Sequence, residues 1–282
     1  MHIDIHNLSK TYKGGVTALQ NVSIDISTGM FGLLGPNGAG KSTLMKILAT
    51  LEIPTSGDIL INGVDIHEQR KQVRQWLGYL PQQFGVYPQL TGDEFLTYIA
   101  RLHQLADIKG AVDKTLREVG LYEVRDRKCK TYSGGMLRRL GIAQALISDP
   151  KILIVDEPTV GLDPEERIRF RNLITEISHN KVIILSTHIV ADISSTCNDL
   201  ALLSQGQVVF RGVPAKLVAE ASGKVWQVEC EEADFKKIAD SMLVISSIPK
   251  DRHLRLRVVG EPAHGFDMRP LLPNLEDAYM YF

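Results

Sequence analysis

Cysteine is scarce in this chain of 282 residues: Cys129, Cys197 and Cys230 stand far apart, odd in number and without a C-x-x-C pair. That pattern excludes a disulfide framework and a cysteine-based zinc site, and it points to a reducing compartment. An excess of charge of one sign is missing as well. The formal net charge is -1 and the sequence pI about 6.7, which argues against a nucleic-acid partner held on a broad basic face. No apolar run approaches the ~20 residues that cross a bilayer. The opening Met1-His2-Ile3-Asp4-Ile5 alternates like a strand and lacks the basic and apolar regions of a signal peptide. Internal repeats and low-complexity tracts are absent. These absences lead to the expectation of a cytoplasmic protein that reaches a membrane only through a partner. The chain does have apolar residues in plenty, 44% against 23% charged, enough core for one large or two smaller globular domains.

The stretch Gly35-Pro36-Asn37-Gly38-Ala39-Gly40-Lys41-Ser42-Thr43 follows the apolar run Met30 to Leu34 and leads into Leu44, Ile47, Leu48 and Leu51. The spacing predicts a buried strand, a glycine-rich turn and an amphipathic helix, and the full G-x-x-x-x-G-K-[ST] pattern predicts a phosphate cradle. Glycines let successive backbone N–H groups curl inward around an anion. The helix start adds bare N–H groups and the positive end of its dipole, Lys41 adds a full charge, and the Ser42 hydroxyl can reach Mg²⁺ on the phosphates. A nucleoside triphosphate is the expected guest.

Around this stretch the pattern is mixed. Ile3, Ile5 and Leu8, then Leu19, Val22, Ile24 and Ile26, read as two strands. Ile59 and Ile61 lead to Asn62-Gly63, a hairpin signal, and a short helix is expected through Val73, Trp76 and Leu77. From about residue 86 to 150 only helices are expected. Thr91 and Glu94 form a capping box for a helix with Phe95, Ile99 and Leu102 on one face, Val112, Leu116 and Val119 mark a second, and a third follows Ser133-Gly134-Gly135. Ile152 to Val155 and Val182 to Leu185 are unbroken apolar runs suited to parallel strands buried on both faces, with a helix capped by Asp163-Pro164 between them. Near Glu220 the composition turns small and polar, so residues 1–219 are expected as one domain with a helical subdomain at about 86–150, and 220–282 as a small C-terminal α+β accessory domain. Its end, from Asn274, reads as a capped helix. Lys250, Arg252, Arg255 and Arg257 form either a binding stripe or a solvated face.

Asp156 and Glu157 come directly after a buried parallel strand, where open α/β folds bind ligands. Asp156 is expected to hold Mg²⁺ or its water, and Glu157 to orient and deprotonate an attacking water. An exposed or helix-capping turn is the plain alternative. Ser133-Gly134-Gly135 is a second glycine-rich helix start. One triphosphate needs one cradle, so this second anion site suggests either a second ligand or service to the nucleotide of a neighbouring subunit. A serine cap with permissive glycines is the simpler reading of the tripeptide alone.

Gly35 to Thr43, Gln82, Tyr132-Ser133-Gly134-Gly135-Met136, Ile152 to Pro158, Gly161-Leu162-Asp163 and His188 occur in the order and spacing seen in the ATP-binding subunits of ABC transporters. The chain resembles that family over roughly residues 2–218. The resemblance implies an α/β P-loop NTPase core with an N-terminal antiparallel β subdomain and a helical insertion. It implies ATP and Mg²⁺ as cofactors, and a head-to-tail homodimer or heterodimer in which Ser133 and Gly135 of one subunit face the γ-phosphate held by Lys41 of the other. Tyr12 matches the aromatic residue that stacks on adenine, Gln82 the residue that senses Mg²⁺ and water, and His188 the histidine on the γ-phosphate. Asp163 matches the loop that crosses the dimer interface. Tyr132 and Met136 depart from the usual leucine and glutamine, which leaves the Ser-Gly-Gly centre unchanged. The helical insertion resembles the subdomain that receives coupling helices of an integral membrane permease near residues 82–90, with Phe84, Val86, Tyr87 and Pro88 as its apolar lining. The pattern from Pro273 to Tyr279 resembles the ending of ATPases that serve ABC-2 type exporters, with the ATPase peripheral on the inner face of the cell membrane.

Overall fold

The computed structural model describes residues 1–250, 253–263 and 265–282. The chain falls into two compact units, Met1–Arg211 and Gly212–Phe282. The first unit begins with β1 (His2–Thr11), β2 (Thr17–Ser27), β3 (Gly29–Leu34), α1 (Lys41–Leu48), β4 (Ser56–Ile61), β5 (Val64–Asp65), α2 (Arg70–Arg74) and β6 (Leu77–Leu80). The helical insertion follows as α3 (Gly92–Leu102), α4 (Ile108–Glu118) and α5 (Gly134–Leu146). The core then resumes with β7 (Ile152–Asp156), α6 (Pro164–Ile177), β8 (Val182–Thr187), α7 (Val190–Thr196), β9 (Asp199–Ser204) and β10 (Gln207–Gly212).

Two sheets carry this unit. The first, in order β2-β1-β4-β5, is antiparallel, with Ile3 opposite Ile26 and Ile61 and Ile5 opposite Ile24 and Ile59, all of them buried. Alternate side chains of a strand share a face, so these pairs set the register. Asn62 and Gly63 both take positive φ, 48° and 78°, the two-residue turn that their sequence signalled. The second sheet, in order β10-β9-β3-β8-β7-β6, is parallel from β9 through β6. Its interior strands β7 and β8 are buried at every position, as their unbroken apolar runs require. Because those strands are parallel, their carboxyl ends emerge on one edge. Leu34 pairs with Thr187 and Asp156 with Ser186, which brings the segments beginning at Gly35, Glu157 and His188 side by side.

Two local expectations differ. The short helix stops at Arg74, and Leu77 starts β6 opposite Ile152, because pairing with β7 outweighs a helical pattern too short to sustain itself. In α3 the capping box of Thr91 and Glu94 is formed, but the helix turns Phe95, Leu96 and Ala100 inward and leaves Leu102 63% exposed. The small Gly92 and Ala100 allow close packing on that face, and Leu102 falls at its margin in the last turn.

The second unit comprises α8 (Pro214–Glu220), β11 (Val225–Glu231), α9 (Phe235–Ser241), β12 (Leu243–Lys250), β13 (His253–Val259), β14 (Met268–Pro270) and α10 (Leu275–Tyr281). Its sheet runs β12-β13-β11-β14, over a core of Val228, Cys230, Ile238, Met242, Leu256 and Val258. Asn274 and Asp277 form the capping box of α10. Arg252 lies outside the described residues. Lys250 and Arg255 pair with Glu229, and Arg257 with the fully buried Asp277, so these three cations of the expected stripe are matched within the unit.

Candidate functional site

Gly40 is the N-cap of α1 with φ 105°, and a Cβ there would stand 2.3 Å from the carbonyl oxygen of Ala18. Only glycine fits both that conformation and that approach. No side chain caps α1, whereas Thr91, Asp107, Ser133 and Asp163 cap α3 to α6 with their own oxygens. The amides that open α1 are therefore left for an anion. A cavity of about 330 Å³ lies over them, lined by Asn37, Gly38 and Gly40 to Thr43 and also by Gln82 and Glu157. Tyr12 reaches this edge through a hydroxyl contact with Thr43 Oγ1 at 3.3 Å.

Opposite charges are concentrated beneath the cavity. Lys41 Nζ donates to the carbonyls of Gly35 at 2.7 Å and Pro36 at 3.1 Å, and lies 3.1 Å from Glu157 Oε1. Glu157 Oε2 lies 2.8 Å from His188 Nδ1. Lys41 and Glu157 are 5% and 4% exposed, so each charge depends on its partner for solvation lost on burial. Asp156 accepts a 2.5 Å hydrogen bond from Ser186 Oγ. Burial, and then the charge of Asp156, push the Tyr79 phenol up to about 12, so no second anion forms beside that carboxylate.

The backbone of Glu157 is itself unusual. Its φ is 47°, in the left-handed region where a side chain costs about 1–3 kcal/mol. Two sets of bonds hold it there. The Glu157 amide donates to both the carbonyl and the hydroxyl of Ser186 at 3.1 Å, and its carbonyl accepts from Arg138 at 2.7 Å. Neither Ser186 nor Arg138 was singled out from the sequence, although two adjacent arginines, Arg138 and Arg139, inside an otherwise apolar helix are a readable signal.

Tyr12, Gly35 to Thr43, Gln82, Asp156, Glu157 and His188 thus gather at one edge of the sheet. Ser133, Gly134, Gly135 and Asp163 do not line that cavity. Ser133 Oγ accepts from the Met136 amide at 3.2 Å, and Asp163 accepts from the Glu166 amide at 2.8 Å, each capping its helix. These two helix starts adjoin: a Cβ on Gly135 would meet Glu166 Oε2 at 2.2 Å. Glu166 is in turn flanked by Arg139 and Arg169. Tyr132, in place of the usual leucine, is buried and donates its hydroxyl to the carbonyl of Val124 at 3.0 Å.

Comparison with known proteins gives this arrangement its context. The family model described as ABC transporter matches residues 19–160. The ABC transporter ATP-binding protein YxlF of Bacillus subtilis (strain 168) is 36% identical over 82% of this chain and 77% of its own. The Nod factor export ATP-binding protein I of Rhizobium meliloti (strain 1021) is 31% identical over 99% of this chain and 87% of its own. Among solved structures, the dimeric post-hydrolysis ATP-binding cassette MJ0796 bound to ADP and Pi superposes with a TM-score of 0.68 at 26% identity, over 75% of this chain and 98% of that one. With a cradle, a Ser-Gly-Gly helix start and an Asp-Glu pair inside the matched region, the chain belongs to the ABC transporter family, as one of its ATP-binding, ATP-hydrolysing subunits.

Proposed function

We propose that the chain binds Mg-ATP in the cradle, hydrolyses it with Glu157 as general base, and drives export through a separate ABC-2 type membrane permease. The observation that carries this reading is the seat of the Glu157 carboxylate, fixed between Lys41 and His188 at the floor of the cradle. The amides of Gly38 to Thr43 and the Lys41 ammonium bind the phosphates, and Tyr12 supplies the ring for adenine. Phosphate oxygens compete with Glu157 for Lys41, which frees the carboxylate to take a proton from water. His188 orients that carboxylate and reaches the γ-phosphate.

The donor set also suits a hard cation. Ser42, Gln82 and Asp156 offer hydroxyl, amide and carboxylate oxygens, the ligands Mg²⁺ prefers. A Mg²⁺ held by these three residues would supply positive charge against the negative charge that develops on the phosphates. Ser133 and Gly135 complete the site of a partner subunit, with Asp163 at the interface between the two, in a homodimer or a heterodimer. ATP held between two chains stabilises only the closed dimer, and hydrolysis releases it. No helix among the described residues is long and apolar enough to cross a membrane. The permease is assigned the route through the bilayer, with this chain on its cytoplasmic face. The Rhizobium relative named for export and the Pro273 to Tyr279 ending favour that direction of transport.

The test is Mg-ATP turnover by Glu157→Gln alongside Lys41→Ala. Glu157→Gln is expected to keep ATP binding and lose at least about 100-fold in kcat, the usual scale for a general base. Lys41→Ala is expected to lose binding itself. Turnover at the wild-type rate in Glu157→Gln removes Glu157 from the role of base.

A further inference from the structure

A guanidinium carries five N–H donors in a planar fork and cannot shed its charge, so a half-buried arginine has to find acceptors for those it withdraws from water. Arg138 on α5 does so without a carboxylate. Its Nε donates to the carbonyl of Pro158 at 2.7 Å. One terminal nitrogen donates to the carbonyls of Pro81 at 3.3 Å and Gln82 at 3.1 Å. The other donates to those of Asp156 at 3.2 Å and Glu157 at 2.7 Å. Burial lowers the pKa of the group, and the charges of Asp156 and Glu157 oppose that shift.

The five acceptors belong to two segments. Pro81 and Gln82 leave the carboxyl end of β6, and residues 156–158 leave that of β7. The donor stands one turn beyond Gly135, on the helix that Ser133 opens. One rigid fork therefore fixes the Ser-Gly-Gly helix, the Gln82 segment and the Glu157 segment relative to one another. It also holds the carbonyl side of the residue whose φ of 47° is the strained one, while Ser186 holds the amide side.

We propose that Arg138 is the positioning residue that sets the Glu157 carboxylate for hydrolysis according to where α5 and the Gln82 segment stand. The proposal rests on the reading of Glu157 as the base. With the fork removed, the strained peptide is free to relax, and the carboxylate leaves its seat between Lys41 and His188. A misplacement of about 1 Å in such a site costs on the order of 100-fold in rate. ATP is gripped by the cradle, to which Arg138 makes no bond, so affinity is left alone.

The experiment compares kcat, KM for Mg-ATP and the thermal midpoint of the full chain in wild type, Arg138→Ala, Arg138→Lys and Glu157→Gln. Arg138→Ala is expected to lose about 10–100-fold in kcat with KM within about threefold. Millimolar ethylguanidinium is expected to restore part of that rate, and ethylammonium none. Arg138→Lys keeps the charge without the fork, and serves also where the alanine variant fails to fold; it is expected to remain at least about 10-fold slow. The proposal is overturned if Arg138→Ala or Arg138→Lys turns over like wild type, or if kcat falls only in step with lost Mg-ATP binding. Glu157→Gln separates the two readings: full activity there removes the base assignment, whereas an inactive Glu157→Gln beside an active Arg138→Ala removes only Arg138.

Discussion

Two glycines of the same chain make opposite demands. At Gly40 an added Cβ meets a backbone carbonyl and an unfavourable φ, neither of which can yield. At Gly135 it meets the end of the Glu166 side chain, which can swing aside. Gly40→Ala is therefore expected to abolish nucleotide binding. Gly135→Ala is expected to fold and bind ATP yet lose turnover, as read by paired binding and hydrolysis assays; normal turnover in Gly135→Ala contradicts the role given to that helix start. The thiols offer a test of burial. Cys197 is pushed up to about 12, and Cys129 and Cys230 are raised as well, in each case chiefly by burial. A raised thiol stays protonated as pH climbs, so the stability Cys197 contributes is whole below about pH 9, the value of a free thiol, and declines as pH rises toward 12. Since the thiolate is the nucleophile, iodoacetamide at pH 8 is expected to label the native chain slowly and the unfolded chain fully. Fast stoichiometric labelling of the native protein contradicts the burial. At this scale Lys41 and Asp156-Glu157 were legible because their chemistry demands those residue types at local spacing. Arg138 is legible only as one of two adjacent arginines in its helix; what it holds is not, because its partners stand 18 to 57 residues away in sequence.

Helix starts were the elements best read from sequence, since a cap is a bond between residues three apart. Thr91 with Glu94, Ser133, Asp163, and Asn274 with Asp277 all cap as their spacing implies. α7 and β14 were passed over. α7 has no side-chain cap and is built largely from β-branched and hydroxyl residues, and β14 is three residues long with a terminal proline, so neither carries a local signal. Both owe their form to tertiary context. In the second unit, Asn274→Ala removes a cap worth about 1 kcal/mol. Asp277→Ala removes the cap's return bond and the partner of Arg257 together, with an expected loss of about 3 kcal/mol, the scale for breaking a buried pair. Hydrogen exchange of the α10 amides in the full chain reads both, and equal effects of the two substitutions contradict the weight given to the Arg257–Asp277 pair.

Across the whole molecule, the residues that the sequence groups into one chemistry are held at two places. The cradle with Asp156, Glu157 and His188 forms one cluster, and Ser133 to Gly135 with Asp163 another, outside its cavity. Parallel strands account for the first cluster, because their carboxyl ends emerge together. Under the proposed function, a second chain placed head to tail accounts for the second. A mixture of Lys41→Ala and Gly135→Ala chains is then expected to recover turnover that neither has alone, provided copies of this chain pair with each other, since such a mixed dimer holds one whole site. The measurement that tests the central claim most directly is the mass and nucleotide content of Glu157→Gln after incubation with Mg-ATP. The account predicts ATP retained uncleaved, in a dimer where copies of this chain pair with each other; a protein that retains no ATP, or one carrying ADP made at the wild-type rate, contradicts it.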